Sequence, residues 1–144
     1  MVPRPVLTPG WSNAYVSPPV PFLIGGRDRA GWDCWGLLRC VYAEQMGIEL
    51  PAMAGEYAGV TDHAAFAALF EREVSEWVQV DRPHEGDAVW MRILGQPCHV
   101  GVWLPGPGLL HVLVGSGTRV DRISSPSWQR RVLAYYRHRS RATQ

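Results

Sequence analysis

Residues 31–40 read GWDCWGLLRC, and they set one cysteine between an acid and a tryptophan where an apolar helical pattern begins. Leu37, Leu38, Val41 and Tyr42 follow the three-and-four spacing of a helix. Asp33 stands where an N-cap belongs, and Gly47 ends the segment. Cys34 therefore falls in the first turn, and three readings are open: core packing, a metal ligand, or a nucleophile. Packing is the common fate of a lone cysteine, which is among the most buried residue types. The nucleophile reading has its own physical basis. Unpaired N–H groups and the positive end of the helix dipole favour a thiolate there. The same groups can hold the oxyanion formed when a thiolate attacks an amide carbonyl.

Such a cysteine needs an imidazole to exchange protons and a further polar group to orient it. Downstream, a second helix is expected from about Asp62, as its cap, through Phe66, Leu69, Phe70 and Val74. Beyond it the period changes to two. EWVQV, GDAVWMRI, HVGVWLP, LLHVLVG and RVLAYYRHR are short β-branched or aromatic runs parted by glycine and proline turns. Helices first and strands afterwards predict an α+β domain with an antiparallel sheet of about five strands. If HVGVW and LLHVLV form a hairpin across LPGPG, His99 and His111 lie side by side on one face. His99 is then the candidate base and His111 its orienter. The bland reading of each is a satisfied core histidine. Of the others, His63 opens a helix, His84 precedes a turn glycine and His138 is in a basic end. A zinc site from Cys34, Cys98, His99 and His111 lacks the usual close ligand spacings.

The bulk properties narrow the classes. The chain has 144 residues, enough for one domain (1–144) with its own core. A formal charge of +1 gives no electrostatic reason to expect direct nucleic-acid binding. Every basic residue is arginine, which excludes a lysine base or Schiff base. Three cysteines cannot all pair within one chain, so the thiols are read as reduced, in a protein made in the cytoplasm. The start, MVPRPVLTPGW, lacks the apolar run of a signal peptide, and no stretch reaches the length of a membrane span. Residues 1–21 read as an extended, proline-rich lead-in, and 138–144 as a basic tail.

PFLIGGRDRAGWDCWGLLRCVYAEQMGIELP, then GDAVWM, then HVGVWLPGPGLLHV, resembles the NlpC-type cell-wall peptidase family. Those are papain-like cysteine peptidases that cut the peptide stems of peptidoglycan. The likeness runs from about residue 21 to 114, with a Gly-Gly turn, Asp-Cys at a helix start, a Gly-Asp strand entry and His-Val-Gly in family order. It implies a papain-like fold, with Cys34 as nucleophile, His99 as base and His111 as orienter. It also implies Asp33 and Trp35 at the substrate subsite, and neither cofactor nor metal. Two positions depart from the pattern: Trp35 replaces the usual serine, and Phe22 stands where a tyrosine commonly precedes the Gly-Gly turn. Asp-Cys-Trp-Gly is similar to the variant found in phage tail assembly proteins and gene transfer agents. The expected partners are thus peptidoglycan stem peptides and tail-tip or hub proteins of a phage-like particle, without membrane insertion. The expected place of action is the periplasm or cell wall, reached as a component of that particle. Two other outcomes stay open: a structural tail-tip protein on the same fold, and an acyltransferase or amidase using the same three residues.

Overall fold

The computed structural model describes residues 7–53, 63–93 and 95–142. The expected cap of the second helix, Asp62, lies outside the described residues. A short helix α1 (Asn13–Val16) and a two-strand ribbon, β1 (Arg27–Asp28) and β2 (Gly31–Trp32), lead into α2 (Cys34–Val41). One π turn, Tyr42–Met46, extends α2, and Gly47 in the left-handed region (φ 67°) stops it. Helix α3 (His63–Glu73) follows, with a 3-10 turn at Val74–Glu76. The chain then makes β3 (Trp77–Val80), β4 (Ala88–Ile93), β5 (Gln96–Leu104), β6 (Gly108–Leu113), β7 (Gly117–Arg122), α4 (Pro126–Gln129), β8 (Val132–His138) and α5 (Arg139–Ala142).

The strands form one antiparallel sheet in the order β3-β8-β4-β5-β6-β7. The α+β expectation holds, but the sheet has six strands rather than about five. The extra strand is β7, GTRVDR, an edge strand too polar to stand out as an apolar alternation. Central strands are read easily because both neighbours and the helices bury them. Val89, Met91, Val102, Leu109, Leu110 and Val112 are all fully buried, each contributing about 1.5–3 kcal/mol.

Helix α2 lies against β5 and β6 through Leu37, Leu38 and Val41. Its start is fixed by Asp33, whose Oδ1 accepts from the Gly36 N–H at 2.9 Å, an N-cap bond. The same carboxylate accepts from the Gly25 N–H at 2.7 Å and pairs with Arg27 at 2.9 Å. A Cβ on Gly36 would collide with the Gly26 carbonyl, so glycine at 36 lets the helix sit on the Gly-Gly turn, while a Cβ on Gly26 would collide with the Gly31 carbonyl.

The described residues of the lead-in and of the basic end are more ordered than expected. The lead-in carries α1 and buries Trp11, Tyr15 and Val20 in the core. It is tied to β7 where the Thr118 N–H donates to the Val20 carbonyl at 2.9 Å. The arginines of the basic end serve internal partners. Arg137 and Arg141 both pair with Asp87 at 2.8 Å, and Arg139 Nε donates to the Ser75 carbonyl at 2.7 Å. Asp87 is fully buried and enters β4 directly after Gly86. The Gly-Asp strand entry is thus the anchor that holds β8 and α5 onto the sheet. Removing one member of such a buried ion pair costs about 3–5 kcal/mol.

Candidate active site

Cys34 opens α2 and is only 4% exposed. It lines a cleft of about 360 Å³ together with Phe22, Cys98, His99, Trp128 and Arg131. Its thiol donates to the Cys98 carbonyl at 3.8 Å. Burial pushes the thiol well above the usual cysteine range, and the neighbouring Asp33 charge adds to this. The backbone amides of Val100 and Trp35 face the sulfur and oppose the rise without cancelling it. The helix start alone favours a thiolate, as expected from the sequence. Desolvation wins here because a charge on so buried a sulfur loses more hydration than the first-turn amides return.

His99 and His111 come together as the hairpin reading required. Strands β5 and β6 pair with Trp103 opposite Leu109, and the chain turns between Leu104 and Gly108. His99 Nε2 lies 3.0 Å from His111 Nδ1. Gly101 makes this approach possible, since a Cβ there would lie 2.9 Å from the Leu110 carbonyl oxygen and 3.2 Å from His111 Cβ.

The series continues to a residue that sequence reasoning missed. His111 Nε2 is 2.7 Å from Asp121 Oδ2 on β7, and Arg119 holds the other oxygen of that carboxylate at 2.8 Å. Burial works to raise the Asp121 carboxyl, but the hydrogen bonds from His111 and Arg119 outweigh it and hold it below the usual carboxylate range. An ionised Asp121 accepts, so His111 carries its proton on Nε2. His111 Nδ1 is then an acceptor and takes the His99 Nε2–H. His99 is left with its lone pair on Nδ1, the tautomer of a base. The strand gives no apolar alternation to find it by, since Thr118 is buried while Val120 and Arg122 on the same face are exposed.

Burial, then His111 and Arg131, hold His99 far below the usual imidazole range, at about 3. Burial also lowers His111, against the raising effect of Asp121. Trp128, on α4, covers both rings: it stacks on His99 at 6.5 Å and meets His111 edge-on at 4.6 Å. The resting pair is a thiol and an imidazole that line one cleft, and burial disfavours the charged form of each. It can transfer a proton as the sulfur attacks, with the charge then spread toward Asp121.

Asp33 and Trp35, expected at a substrate subsite, are both buried. Asp33 is occupied by the cap, the Gly25 amide and Arg27. The Trp35 ring packs on Phe70 at 5.8 Å and its Nε1–H donates to the Pro51 carbonyl at 2.7 Å. Neither residue lines the cleft that holds Cys34, whereas Phe22 does.

The comparisons with known proteins bear on the fold and the family. The murein DD-endopeptidase MepS/murein LD-carboxypeptidase of Escherichia coli strain K12 is 26% identical over 112 residues, 78% of this chain and 52% of that protein. The chain thus spans about half the length of the curated relatives it matches. A lipoprotein-like NLP/P60 family protein of Staphylococcus aureus shares the fold with a TM-score of 0.61 at 20% identity, over 93% of this chain and 43% of that one. The NlpC/P60 domain of the peptidoglycan hydrolase SagA does so with a TM-score of 0.55 at 22% identity, over 87% and 92%. An NlpC/P60 family protein of Bacillus cereus gives 0.61 at 16% identity, over 95% and 41%. The family model described as the NlpC/P60 family matches residues 19–137, from the lead-in through β8, and the chain belongs to that family.

Proposed function

We propose that this chain is a peptidoglycan peptide hydrolase, a cysteine endopeptidase carried by a phage-like tail or gene transfer agent particle that opens the wall for DNA entry. The observation that carries the reading is the hydrogen-bonded series His99–His111–Asp121 beside Cys34 in one cleft. The names of the Escherichia coli relative and of SagA support peptidoglycan as the substrate class. The tail assignment is supported by the Asp-Cys-Trp-Gly likeness, and it makes tail-tip or hub proteins the partners.

In the mechanism, the Cys34 thiol gives its proton to His99 Nδ1 as the sulfur bonds to a stem-peptide carbonyl carbon. The N–H groups at the start of α2 receive the oxyanion. The imidazolium protonates the leaving amine, and neutral His99 then activates water to release the acyl group from sulfur. Asp121 acts through His111, keeping the tautomer correct and stabilising the imidazolium.

Hydrolysis of isolated muropeptides by the purified chain tests this. Cys34→Ala and His99→Ala variants that keep their circular dichroism are expected to lose turnover by about 10³-fold or more. Unchanged turnover in folded Cys34→Ala refutes the hydrolase. Absence of the chain from purified particles refutes the tail assignment separately.

The burial of Cys34 and its raised thiol favour a second reading, a structural tail-tip protein with little catalysis. The rate of a thiol probe at neutral pH separates the two. Fast labelling of Cys34 that falls in His99→Ala supports the peptidase; labelling slower than a free thiol in both supports the structural role.

A further inference from the structure

We propose that Arg131 is the specificity residue of the cleft, and that it selects peptides carrying a free carboxylate beside the bond that is cut. The inference rests on the hydrolase reading above and names the substrate chemistry of that same site.

The cleft is otherwise apolar, with Phe22, Ile93, Val112, Leu113 and Trp128 among its walls. With Cys34 and His99 neutral, Arg131 is the one formally charged residue lining it among the described residues. Its guanidinium lies over the Trp128 ring, 4.9 Å from the centroid. No carboxylate of the described residues pairs with it, whereas Arg27, Arg29, Arg119, Arg137 and Arg141 each hold one. Arg131 is held in place by its backbone. Its N–H donates to the Trp128 carbonyl at 2.9 Å, and its own carbonyl accepts from the Arg92 N–H at 2.8 Å. Arg92 in turn donates from its guanidinium to the Arg130 carbonyl at 3.1 Å, a second tie between β4 and the segment that carries Arg131.

A guanidinium that lies over an aromatic ring is suited to a planar carboxylate, which it binds edge-on through two parallel hydrogen bonds. Preorganisation by the stack and the backbone bonds reduces the ordering cost of that contact. Trp128 also touches His99 and His111, so a carboxylate on Arg131 is held one ring from the base. The position has a second effect. Arg131 is one of the charges that disfavour the His99 imidazolium, and a bound carboxylate offsets it. Recognition of the acidic group therefore eases the proton transfer from Cys34.

The test uses one stem peptide in two forms, with the group beside the scissile amide as a free carboxylate or as its carboxamide. The wild-type chain is expected to cleave the acid with kcat/KM about 10- to 100-fold above the amide, the scale of one charge-assisted pair. In Arg131→Gln the ratio is expected to fall to within about threefold, and Arg131→Lys, which binds through a single point, to keep part of it. A wild-type ratio near one, or a ratio unchanged in Arg131→Gln, overturns the proposal. Calorimetric Kd values for both peptides on Cys34→Ala, with and without Arg131→Gln, decide it independently of turnover. If the wild type cleaves neither form, the hydrolase reading fails, while the Kd ratio still tests Arg131. No binding of either form overturns it.

Discussion

Replacing Asp121 with asparagine tests whether the proton relay extends past the second histidine. Asp121 is 2.7 Å from His111 Nε2, and His111 Nδ1 is 3.0 Å from His99 Nε2. The bonded path from carboxylate to base is therefore about 8 Å, and at an effective dielectric of about 20 the lost attraction is ~2 kcal/mol. That alone lowers kcat/KM about 30-fold. The geometry adds a second loss. Arg119 donates to Asp121 Oδ1 at 2.8 Å, so the asparagine oxygen stays on that side and its NH₂ turns to His111. His111 must then accept at Nε2 and carry its proton on Nδ1, which forces the proton of His99 onto Nδ1, the nitrogen that should be the base. Asp121→Asn is thus expected to be more damaging than Asp121→Ala. Adding Arg119→Ala to Asp121→Asn frees the amide to flip and is expected to restore part of the activity. The assay is muropeptide hydrolysis and Cys34 labelling across pH, with melting curves to confirm folding. Asp121→Asn within threefold of wild type, with an unchanged pH profile, refutes the relay beyond His111.

Other outcomes follow from burial and packing. His99 is held neutral at about 3, below the roughly 6.5 of an unfolded histidine, so the unfolded chain binds more protons between these values. Stability is accordingly complete above about pH 6.5 and falls as pH drops toward 3, by up to about 1.4 kcal/mol per pH unit for this group; urea midpoints from pH 7 to 4 should show a shallower loss in His99→Gln. Trp35→Ser removes a buried ring packed on Phe70 and is expected to cost about 3–5 kcal/mol by chemical denaturation. Cleavage-site selection by the folded fraction should not move; a changed product pattern would put Trp35 in the substrate subsite. Gly101→Ala forces a methyl against the Leu110 carbonyl and His111. A loss of about 1–3 kcal/mol together with reduced turnover is expected; thermal melts and kinetics on one sample check both, and a wild-type melting temperature would contradict the close approach.

How much was legible depended on how local the cause was. The cap at Asp33, the helix from Cys34 and the stop at Gly47 are decided within a dozen residues, and the structure shows them as read. The pairing of His99 with His111 was legible for the same reason, since a short hairpin fixes the register across LPGPG. Strand β7 escaped because an edge strand with one solvated face need not be apolar, and Asp121 escaped with it. The order in the described residues of the two ends was not legible because proline and arginine content describes local stiffness and charge. It does not reveal that Tyr15 fills the core or that two arginines meet one buried aspartate.

The sequence by itself determined the α+β class, the helix that starts at Cys34 and the pairing of His99 with His111 across one hairpin. Each of those follows from periodicity, capping and turn chemistry, which act over a few residues. Only the tertiary structure decided the protonation of that site, the carboxylate behind it and the burial of Trp35. Those depend on desolvation and on contacts between segments far apart in the chain: the helix start favours a charged sulfur, and its burial among residues of β5, β6 and α4 favours a neutral one.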